Sequence, residues 1–375
     1  MNAHFIEPLD VLFLRGNRLF GDAGSYGESM VPPWPSAVAG AIRSAILARD
    51  GIDSAVFGKG EIEHATLGTP DKLGNFQVTD FQLAWCGESG DGRLERLYRL
   101  PADLIATRTD VGGIELHRIT PQPPWGGIGS SMPTVRLPVL AQPDRAKPAS
   151  GLWLNEAGMA NWLAGELPDV DRHLVAADRL WGLDERVGIG MDRATRRADD
   201  GKLFTLQAVV MKPGVGFVAS VEGDVLDDGA LLRFGGDGRG AVVRRVDVPT
   251  PQGDLAAIAE AGRCRLVLTT PGIFPDGWRL PGMAEDAGFE LLGVRGRVVC
   301  AAVPRAEVIS GWDLARWQPK PAQRAAPAGS VYWLEDLEAT PEQLRRLADH
   351  GLWPASGYDA RRWAEGFNRF VFATY

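Results

Sequence analysis

The sequence predicts an α+β fold made of two consecutive strand-and-helix units. Strand-like runs come in adjacent pairs and do not alternate regularly with helices, as they would in a doubly wound sheet. The same pattern restarts after a linker-like stretch at 249–253. Glycine and proline supply 46 and 26 of the 375 residues, which is typical of a globular chain rich in turns. Two ferredoxin-like βαββαβ domains, residues 1–250 and 251–375, fit these observations best.

Length and charge limit the classes of protein that the chain can belong to. At about 150 residues per domain, 375 residues predict two or three domains and a sizeable core. The net charge of −8 means that any nucleic-acid binding must come from local patches. The three cysteines are scattered singly, and no leader-like or membrane-spanning segment occurs. We therefore expect a cytoplasmic protein without disulfides or membrane contact.

The first elements predicted along the chain are a strand over 5–14 and a helix over 37–47. Ser36 follows a run of prolines and is placed to be the N-cap of this helix. Short strands over 76–85 and 94–100 come next, separated by glycine-containing turns. The stretch 120–150, with seven prolines, is the most loop-like part of the sequence.

The middle of the chain mixes helical and strand patterns. Apolar spacing predicts helices over 152–167 and 173–180. The runs 203–211 and 216–221 flank a Pro-Gly pair and predict a hairpin, because Pro-Gly is typical of tight turns. The remaining predicted elements are a short helix over 225–234, strands over 241–248, 265–270, 291–302 and 368–374, and a helix over 341–350.

Residues for catalysis or metal binding do not converge in the sequence. The five histidines are isolated from one another, and no HExxH, GxSxG, complete GxGxxG or GxxxxGK[ST] motif occurs. A catalytic site needs a nucleophile, a base and an orienting group, or metal ligands at workable spacing. We therefore expect a protein that is not an enzyme and that uses neither a metal nor a cofactor.

Two segments combine residue types that suit a phosphate backbone. Gly236, Gly238 and Arg239 lie in a glycine-rich stretch that can expose several backbone N–H groups beside a cation. A tight helix-to-strand turn is the alternative interpretation. Lys320 and Arg324 are interleaved with tryptophans over 312–333, a combination that suits phosphate contact and base stacking. The alternative there is that the tryptophans anchor a long loop to the core.

Four segments spread over nearly the whole chain carry a resemblance to a known family. They are Ile6-Glu-Pro-Leu-Asp-Val-Leu-Phe-Leu-Arg15-Gly16-Asn-Arg18-Leu-Phe20, Ser36-Ala-Val-Ala-Gly40-Ala-Ile-Arg43, Arg186-Val-Gly-Ile-Gly190-Met-Asp and Lys320-Pro-Ala-Gln-Arg324-Ala-Ala-Pro-Ala-Gly329-Ser330-Val-Tyr332. With them the chain resembles the third-subunit family of the Cmr complex, the type III-B CRISPR RNA-guided effector, in the RAMP superfamily of RRM-like proteins.

The resemblance implies a non-catalytic RNA-binding subunit that serves antiviral defence. Such a subunit caps the foot of the complex, holds the 5′ handle of the guide CRISPR RNA, and contacts the large polymerase-type subunit and the first backbone subunit. The superfamily's glycine-rich loop maps onto 327–330, including Gly329 and Ser330. Its thumb hairpin, which wedges between handle and guide, maps onto 190–216.

From these considerations we predict a set of RNA-contacting residues. The handle contacts are Arg15, Arg18, Ser36, Gly40, Arg43, Gly236, Gly238, Arg239, Lys320, Arg324, Gly329 and Ser330. The thumb contacts are Met191, Arg193, Arg196 and Arg197, which would displace one nucleotide where the handle ends and pairing with target RNA begins. A solvent-exposed loop without RNA contact is the alternative for the thumb residues.

Two other functions remain open at this point. A guide-RNA-processing endoribonuclease of the same superfamily would need a general base near the first helix, and residues 30–49 contain no histidine. A protein scaffold without RNA contact would fail to shift a labelled handle oligonucleotide at low salt.

Overall fold

The chain folds into two main sheets, several smaller sheets and a few helices, an α+β architecture. The structure, a computed structural model, describes residues 2–14, 16, 26–86, 93–110, 112–126, 128, 130, 132–141, 147–192 and 194–375. Predicted contact residues Arg15, Arg18 and Arg193 lie outside these ranges. Within them, no helix is long and apolar enough to cross a membrane.

Within the described ranges, the first unit contains fourteen strands and four α-helices. In chain order these are β1 (Asn2–Pro8), β2 (Tyr26–Gly27), α1 (Pro35–Arg49), α2 (Ser54–Gly58), β3 (Gln77–Cys86), β4 (Leu94–Arg99), β5 (Leu104–Arg108), β6 (Ile114–Gln122), β7 (Leu137–Leu140), β8 (Leu152–Leu154), α3 (Glu156–Leu163), α4 (Val170–His173), β9 (Leu174–Ala176), β10 (Trp181–Met191), β11 (Ala198–Met211), β12 (Val215–Glu222), β13 (Leu231–Arg233) and β14 (Gly240–Val246). Short 3₁₀ turns lie at Ala177–Arg179 and Gly236–Gly238.

The second unit contains nine strands and three helices. They are α5 (Leu255–Ala261), β15 (Cys264–Leu268), β16 (Gly288–Leu291), β17 (Val294–Ala302), β18 (Glu307–Ile309), β19 (Trp312–Asp313), β20 (Gln318–Pro319), β21 (Gln323–Ala325), β22 (Val331–Glu338), α6 (Pro341–His350), α7 (Ala360–Ala364) and β23 (Phe370–Ala373). The boundary predicted at residue 250 falls between β14 and α5, where the chain passes from one sheet to the other.

Strand order shows how each main sheet is built. The larger sheet runs β13-β14-β1-β12-β3-β4-β8-β9, and the smaller runs β16-β17-β22-β15-β23. Pairing within both is antiparallel throughout. Two three-stranded sheets, β10-β11-β2 and β5-β6-β7, are attached to this frame.

Helix α1 covers one face of the larger sheet. Its buried residues Val38, Ala39, Ile42 and Ile46 recur at helical spacing and join the core formed by β1, β3 and β12. Pro35 occupies the first turn, where its missing N–H costs no hydrogen bond. Trp34, and not Ser36, is the N-cap residue, and no side chain caps this end. The predicted role of Ser36 as N-cap is therefore wrong.

One apolar core contains residues of both units. It contains Tyr98 and Trp162 from the first unit together with Val267 and Trp333 from the second, all buried. The opposing sheets therefore bury side chains against each other, and the chain on either side of residue 250 is held as one structure.

Several predicted elements differ from the observed ones. The 203–211 and 216–221 runs do not form a hairpin, because β12 already pairs with β1 and β3 on its two edges, whereas β11 pairs with β10. The predicted helix over 225–234 is a loop followed by β13. The predicted helices over 152–167 and 173–180 shorten to α3 and a 3₁₀ turn, since β8 and β9 pair with each other at the sheet edge.

Candidate nucleic-acid interface

Strands β10 and β11 form the longest hairpin among the described residues, in a three-stranded sheet with β2. Strands β10 and β11 pair from Trp181 opposite Met211 to Met191 opposite Ala198, with a register shift between Ile189 and Met191. We call residues 181–211 the thumb. The region predicted for this feature, 190–216, contains the tip and the second strand but misses most of the first strand.

The tip of the thumb is a tight turn organised by one carboxylate. Oδ1 of Asp192 accepts hydrogen bonds from the backbone N–H groups of Ala194 (3.0 Å) and Thr195 (2.6 Å) and from the Thr195 hydroxyl (2.8 Å). These bonds to the Thr195 backbone and side chain hold the pKa of Asp192 below its ordinary value. The N–H of Arg196 donates to the Asp192 carbonyl at 2.9 Å. The turn is thus closed by its own hydrogen bonds.

Met191, Arg196 and Arg197 are displayed together at this tip. All three are exposed, and Arg196 adopts a left-handed backbone conformation at φ 54°. Neither guanidinium has an ion pair or hydrogen bond with the residues that the structure describes. Within the described ranges, the tip therefore exposes an apolar side chain and two arginines, as predicted.

The stem of the thumb differs from the tip in its charges. Arg186 pairs with Asp184 at 2.8 Å, and Lys202 pairs with Asp199. The ring of Phe204 lies across Gly188, where an added Cβ would come within 2.3 Å of ring carbons. This close approach explains the need for glycine there. The stem cations Arg186 and Lys202 are therefore paired with carboxylates, whereas Arg196 and Arg197 have no such partner in the described part of the chain.

Helix α1 presents a second predicted set on one face. Ser36, Gly40 and Arg43 are spaced by four and three residues, so they lie on the same side of the helix. A Cβ added at Gly40 would meet no atom within 4 Å, which means that the face is open there. The Arg43 guanidinium stacks on Phe76 with 5.1 Å to the ring centroid. Burial lowers the pKa of Arg43, and the charge of Glu365 opposes that shift.

Predicted contacts Arg43 and Lys320 converge on one buried carboxylate. Glu365 pairs with the Lys320 ammonium and, at 3.0 Å, with Arg362. Burial alone would raise the pKa of Glu365, but the charges of Lys320, Arg362 and Arg43 outweigh it and lower the pKa. Arg362 also donates to Gln323 at 2.8 Å. Lys320 is therefore occupied inside the protein.

Replacing Glu365 with glutamine should loosen this junction. We expect a cost of about 2 kcal/mol, because buried cations lose their charged acceptor while the side-chain volume stays the same. Since the folded-state pKa of Glu365 is lowered, its stabilisation is complete above the ordinary pKa of a glutamate and is lost as the pH falls below that pKa towards the lowered folded-state pKa. Urea unfolding of both proteins at pH 7 and pH 4 measures this. An equal difference at both pH values would contradict the assignment.

The glycine-rich turn before β14 is largely used by the fold itself. The N–H of Gly236 donates to the carbonyl of Phe13 at 2.8 Å. Arg239 pairs with Asp10 at 2.5 Å and stacks on the Phe13 ring with 4.9 Å to its centroid. The turn joins strands β13 and β14, not a helix and a strand. Of the two interpretations for Gly236, Gly238 and Arg239, this geometry favours the structural turn.

The segment that resembles the glycine-rich loop lies inside the molecule. Gly329, at φ 90°, donates its N–H to Leu268 (2.7 Å) and accepts a bond from Ala102 (2.8 Å). The Ser330 hydroxyl donates to the Pro327 carbonyl at 2.7 Å, and Ser330 has no exposed surface. A direct RNA contact by Gly329 or Ser330 is not possible in this conformation, because their polar groups face the protein.

Arg324 is the remaining predicted cation, and it is exposed on β21 opposite Val308. It has no ion pair or hydrogen bond with the side chains that the structure describes. Arg324 therefore stays available for an external partner, unlike Lys320 and Arg239.

One cluster of possible metal ligands was not anticipated from the sequence. Asp50, His64 and Asp224 bring ligand atoms within 4.8 Å of one another. Arg49, however, bonds to both carboxylates, at 2.7 Å and 2.9 Å. Nδ1 of His64 accepts the N–H groups of Thr66 and Leu67, while Nε2 bonds to Asp50 at 2.8 Å. A guanidinium already compensates the carboxylates, so these residues fit an ion-pair cluster better than a metal.

The chain is similar to CRISPR-associated proteins. The family model of the CRISPR-associated protein Cas_Cmr3 matches residues 4–365. A chain from a structure described as Type III-B Cmr-beta bound to cognate target RNA and AMPPnP is 14% identical, with a TM-score of 0.52 over 99% of this chain and 98% of that chain. A second, described as Type III-B Cmr-beta bound to cognate target RNA, is also 14% identical, with a TM-score of 0.51 over 98% and 96%.

At this identity the two structures establish a shared fold. No protein with a curated description matches the chain. The family model covers nearly the whole sequence and includes all four segments on which the resemblance was based. The chain therefore belongs to the Cmr3 family of CRISPR-associated proteins.

Proposed function

We propose that this chain is the non-catalytic subunit of a type III-B CRISPR effector that caps the 5′ handle of the guide RNA. In this role it joins the large polymerase-type subunit to the backbone subunit and serves antiviral defence. Family membership supports a place in such an effector, and the relatives of matching fold come from Cmr complexes bound to target RNA.

The strand order supports two ferredoxin-like units as the frame for this function. Strands β1, β3, β12 and β14 are the first to fourth of this unit's core strands along the chain. Across the sheet they lie in the order β14-β1-β12-β3, which is 4-1-3-2. The smaller sheet has the same 4-1-3-2 order, β23-β15-β22-β17, for strands β15, β17, β22 and β23. Each unit keeps one crossover helix of the βαββαβ pattern, α1 in the first and α6 in the second. The other two crossovers, 223–239 and 269–287, lie wholly within the described ranges, and neither contains an α-helix.

The uncompensated arginines at the thumb tip carry the proposal. Among the described residues of the thumb, the stem cations Arg186 and Lys202 are paired with carboxylates, whereas the guanidinium groups of Arg196 and Arg197 lie unpaired at the tip with the exposed Met191. A planar guanidinium can stack on a base and contact phosphates at the same time. The hydrogen-bonded turn at Asp192 keeps these side chains at the end of a long hairpin, which suits a wedge.

The wedge acts at the junction where the handle ends and pairing with target RNA begins. Turning one nucleotide out of its stack costs a few kcal/mol, which base stacking and phosphate contacts can offset. Met191 would fill the vacated position, while the arginines hold the backbone of the displaced nucleotide. The face of α1 that is open at Gly40, with the half-buried Ser36 and Arg43 beside it, provides a second surface for the handle.

The histidines of the chain have local structural partners, which supports a non-catalytic role. Burial lowers the pKa of His4, whose Nε2 accepts the N–H of Leu226. His173 accepts the N–H of Asp169, and His117 bonds to Thr107. Burial also lowers the pKa of His350, which packs on Tyr358 and Trp363. None of these histidines lies on α1, where the endoribonuclease alternative requires a base.

A gel-shift assay with a labelled handle oligonucleotide at low salt tests the proposal. We expect the purified chain to shift the oligonucleotide and leave it intact. A protein scaffold without RNA contact would give no shift, and an endoribonuclease would shorten the labelled RNA.

Charge placed on the open face of α1 should weaken handle binding. Replacing Gly40 with glutamate puts a carboxylate beside Arg43, and we expect about tenfold weaker binding, because it repels phosphate and competes for the guanidinium. Gly40→Ala is the matched control. It should bind RNA normally and stabilise α1 by about 0.5–1 kcal/mol. Equal affinities of the two variants, measured by gel shift, would remove this helix face from the handle site.

A further inference from the structure

The four short strands between 307 and 325 form a single hairpin. Val308 lies opposite Arg324, and Trp312 lies opposite Pro319. Between these pairs, the N–H of Lys320 donates to the carbonyl of Gly311 at 2.8 Å. The ladder is thus continued from base to tip. We call residues 307–325 the arm.

The inner side of the arm is fixed to the body of the protein. At its base, Ile309 and Ala325 are buried in one apolar cluster with Trp353 and Phe367. Near its tip, Arg316 pairs with Asp71 of the first unit at 2.6 Å. The arm therefore spans both units and is held at both ends.

The outer side and tip of the arm expose large apolar side chains. Trp312, Leu314 and Trp317 are 50%, 67% and 75% exposed. The two tryptophan rings meet edge to face, with their centroids 6.0 Å apart. Trp317 has a left-handed backbone, at φ 52°. A cluster of exposed tryptophans on an anchored hairpin is typical of an interaction site, because tryptophan is the residue type most enriched among binding hot spots.

The charges around this cluster favour a protein partner over RNA. Arg316 is neutralised by Asp313 and Asp71, and Lys320 is neutralised by Glu365. RNA binding by stacking requires free cations along the backbone path. Arg324 is the one cation of the arm with no pairing carboxylate among the described residues. Arg324 lies at the base of the arm, opposite Val308, and the tryptophans lie at its tip. One hairpin that exposes tryptophans and a single unpaired arginine has the composition of a protein–protein interface.

We propose that the tip of the arm docks into an apolar pocket of another protein subunit of the effector. The pocket accommodates Trp312, Leu314 and Trp317, and a carboxylate at its rim pairs with Arg324. This inference rests on the proposed place of the chain in a multisubunit effector, and it adds the surface through which a protein neighbour is held.

Affinity measurements without RNA test the docking. The wild-type chain and the Trp312→Ala/Trp317→Ala double variant are titrated against each of the other protein subunits, purified singly. We expect at least about 30-fold weaker binding to one subunit, as truncation of hot-spot residues produces. Leu231→Ala, which removes an equally exposed side chain from β13, is the control and should bind normally. Arg324→Glu should weaken binding to the same subunit, and Arg324→Lys should preserve most of it.

Either of two results would overturn the docking: no subunit binds the wild-type chain, or every subunit binds the double variant as well as the wild type. If the double variant keeps its subunit affinities and also loses the handle shift, the arm is an RNA-stacking surface instead. Failure of the wild-type chain to shift the handle would instead contradict the RNA-binding function and leave the docking result unaffected.

Discussion

Replacing Asp103 with alanine is expected to destabilise the folded chain by about 3–5 kcal/mol, the cost of leaving a buried cation without its partner. Asp103 accepts hydrogen bonds from Arg265 at 2.7 Å and from the Trp162 indole at 2.8 Å. Both members of the ion pair are buried, and the guanidinium lies 4.1 Å from the Trp162 ring centroid. Because Asp103 belongs to the first unit and Arg265 to the second, loss of this ion pair should weaken the packing between the two units.

Urea unfolding followed by circular dichroism measures this cost. A double variant, Asp103→Leu/Arg265→Met, should recover much of the stability, because apolar residues can replace a buried ion pair at little cost. Glu290→Ala, which removes the exposed partner of Arg295, is the control and should have little effect. A double variant that is no more stable than Asp103→Ala would show that the charge left on Arg265 is not the reason for the loss.

Removing the arginines of the thumb tip should give the largest loss of RNA binding. The slope of log affinity against log salt concentration measures how many phosphate contacts a protein makes with single-stranded RNA. When Arg193, Arg196 and Arg197 are all changed to alanine, each lost phosphate contact should reduce this salt slope by about 0.7. Three lost contacts amount to a slope change of about 2, and to about 50-fold in affinity at 0.15 M salt. Fluorescence anisotropy with a labelled handle oligonucleotide over a salt series gives both values.

The same hairpin provides the matched control. Arg186→Ala removes an arginine that Asp184 already neutralises, so the salt slope should hardly change. In the assembled complex, a fluorescent base analogue at the first guide position reports on the wedge. We expect the triple variant to quench it as the base restacks. Unchanged fluorescence and an unchanged slope would place the wedge elsewhere on the complex.

Local sequence patterns predicted those parts of the fold that depend on neighbouring residues. The proline run and small apolar residues predicted α1 to within two residues at each end. The α+β class also followed from the sequence, because strand pairs and the restart after residue 249 are local features. The predicted hairpin after Met211 was wrong for the opposite reason. The partners of β12 lie in β1 and β3, far away in sequence.

The candidate site shows the same division. Exposed arginines at a turn can be predicted from the sequence, and Arg196 and Arg197 at the thumb tip have no ion pair with any side chain that the structure describes. No local pattern shows that Lys320 meets Glu365, or that Gly329 bonds to Leu268 and Ala102. Such pairings depend on how the two units pack against each other. Sequence reasoning therefore overestimated the number of cations available to RNA.

Photo-crosslinking of guide RNA in the assembled effector tests the central claim most directly. Photoactivatable nucleotides are placed singly through the handle and at the first guide positions, and crosslinked peptides are identified by mass spectrometry. The account predicts that the handle nucleotides crosslink to α1 near Gly40 and that the junction nucleotide crosslinks to the thumb tip at 191–197. Crosslinks of the handle and the junction to other subunits alone, with none to this chain, would contradict it.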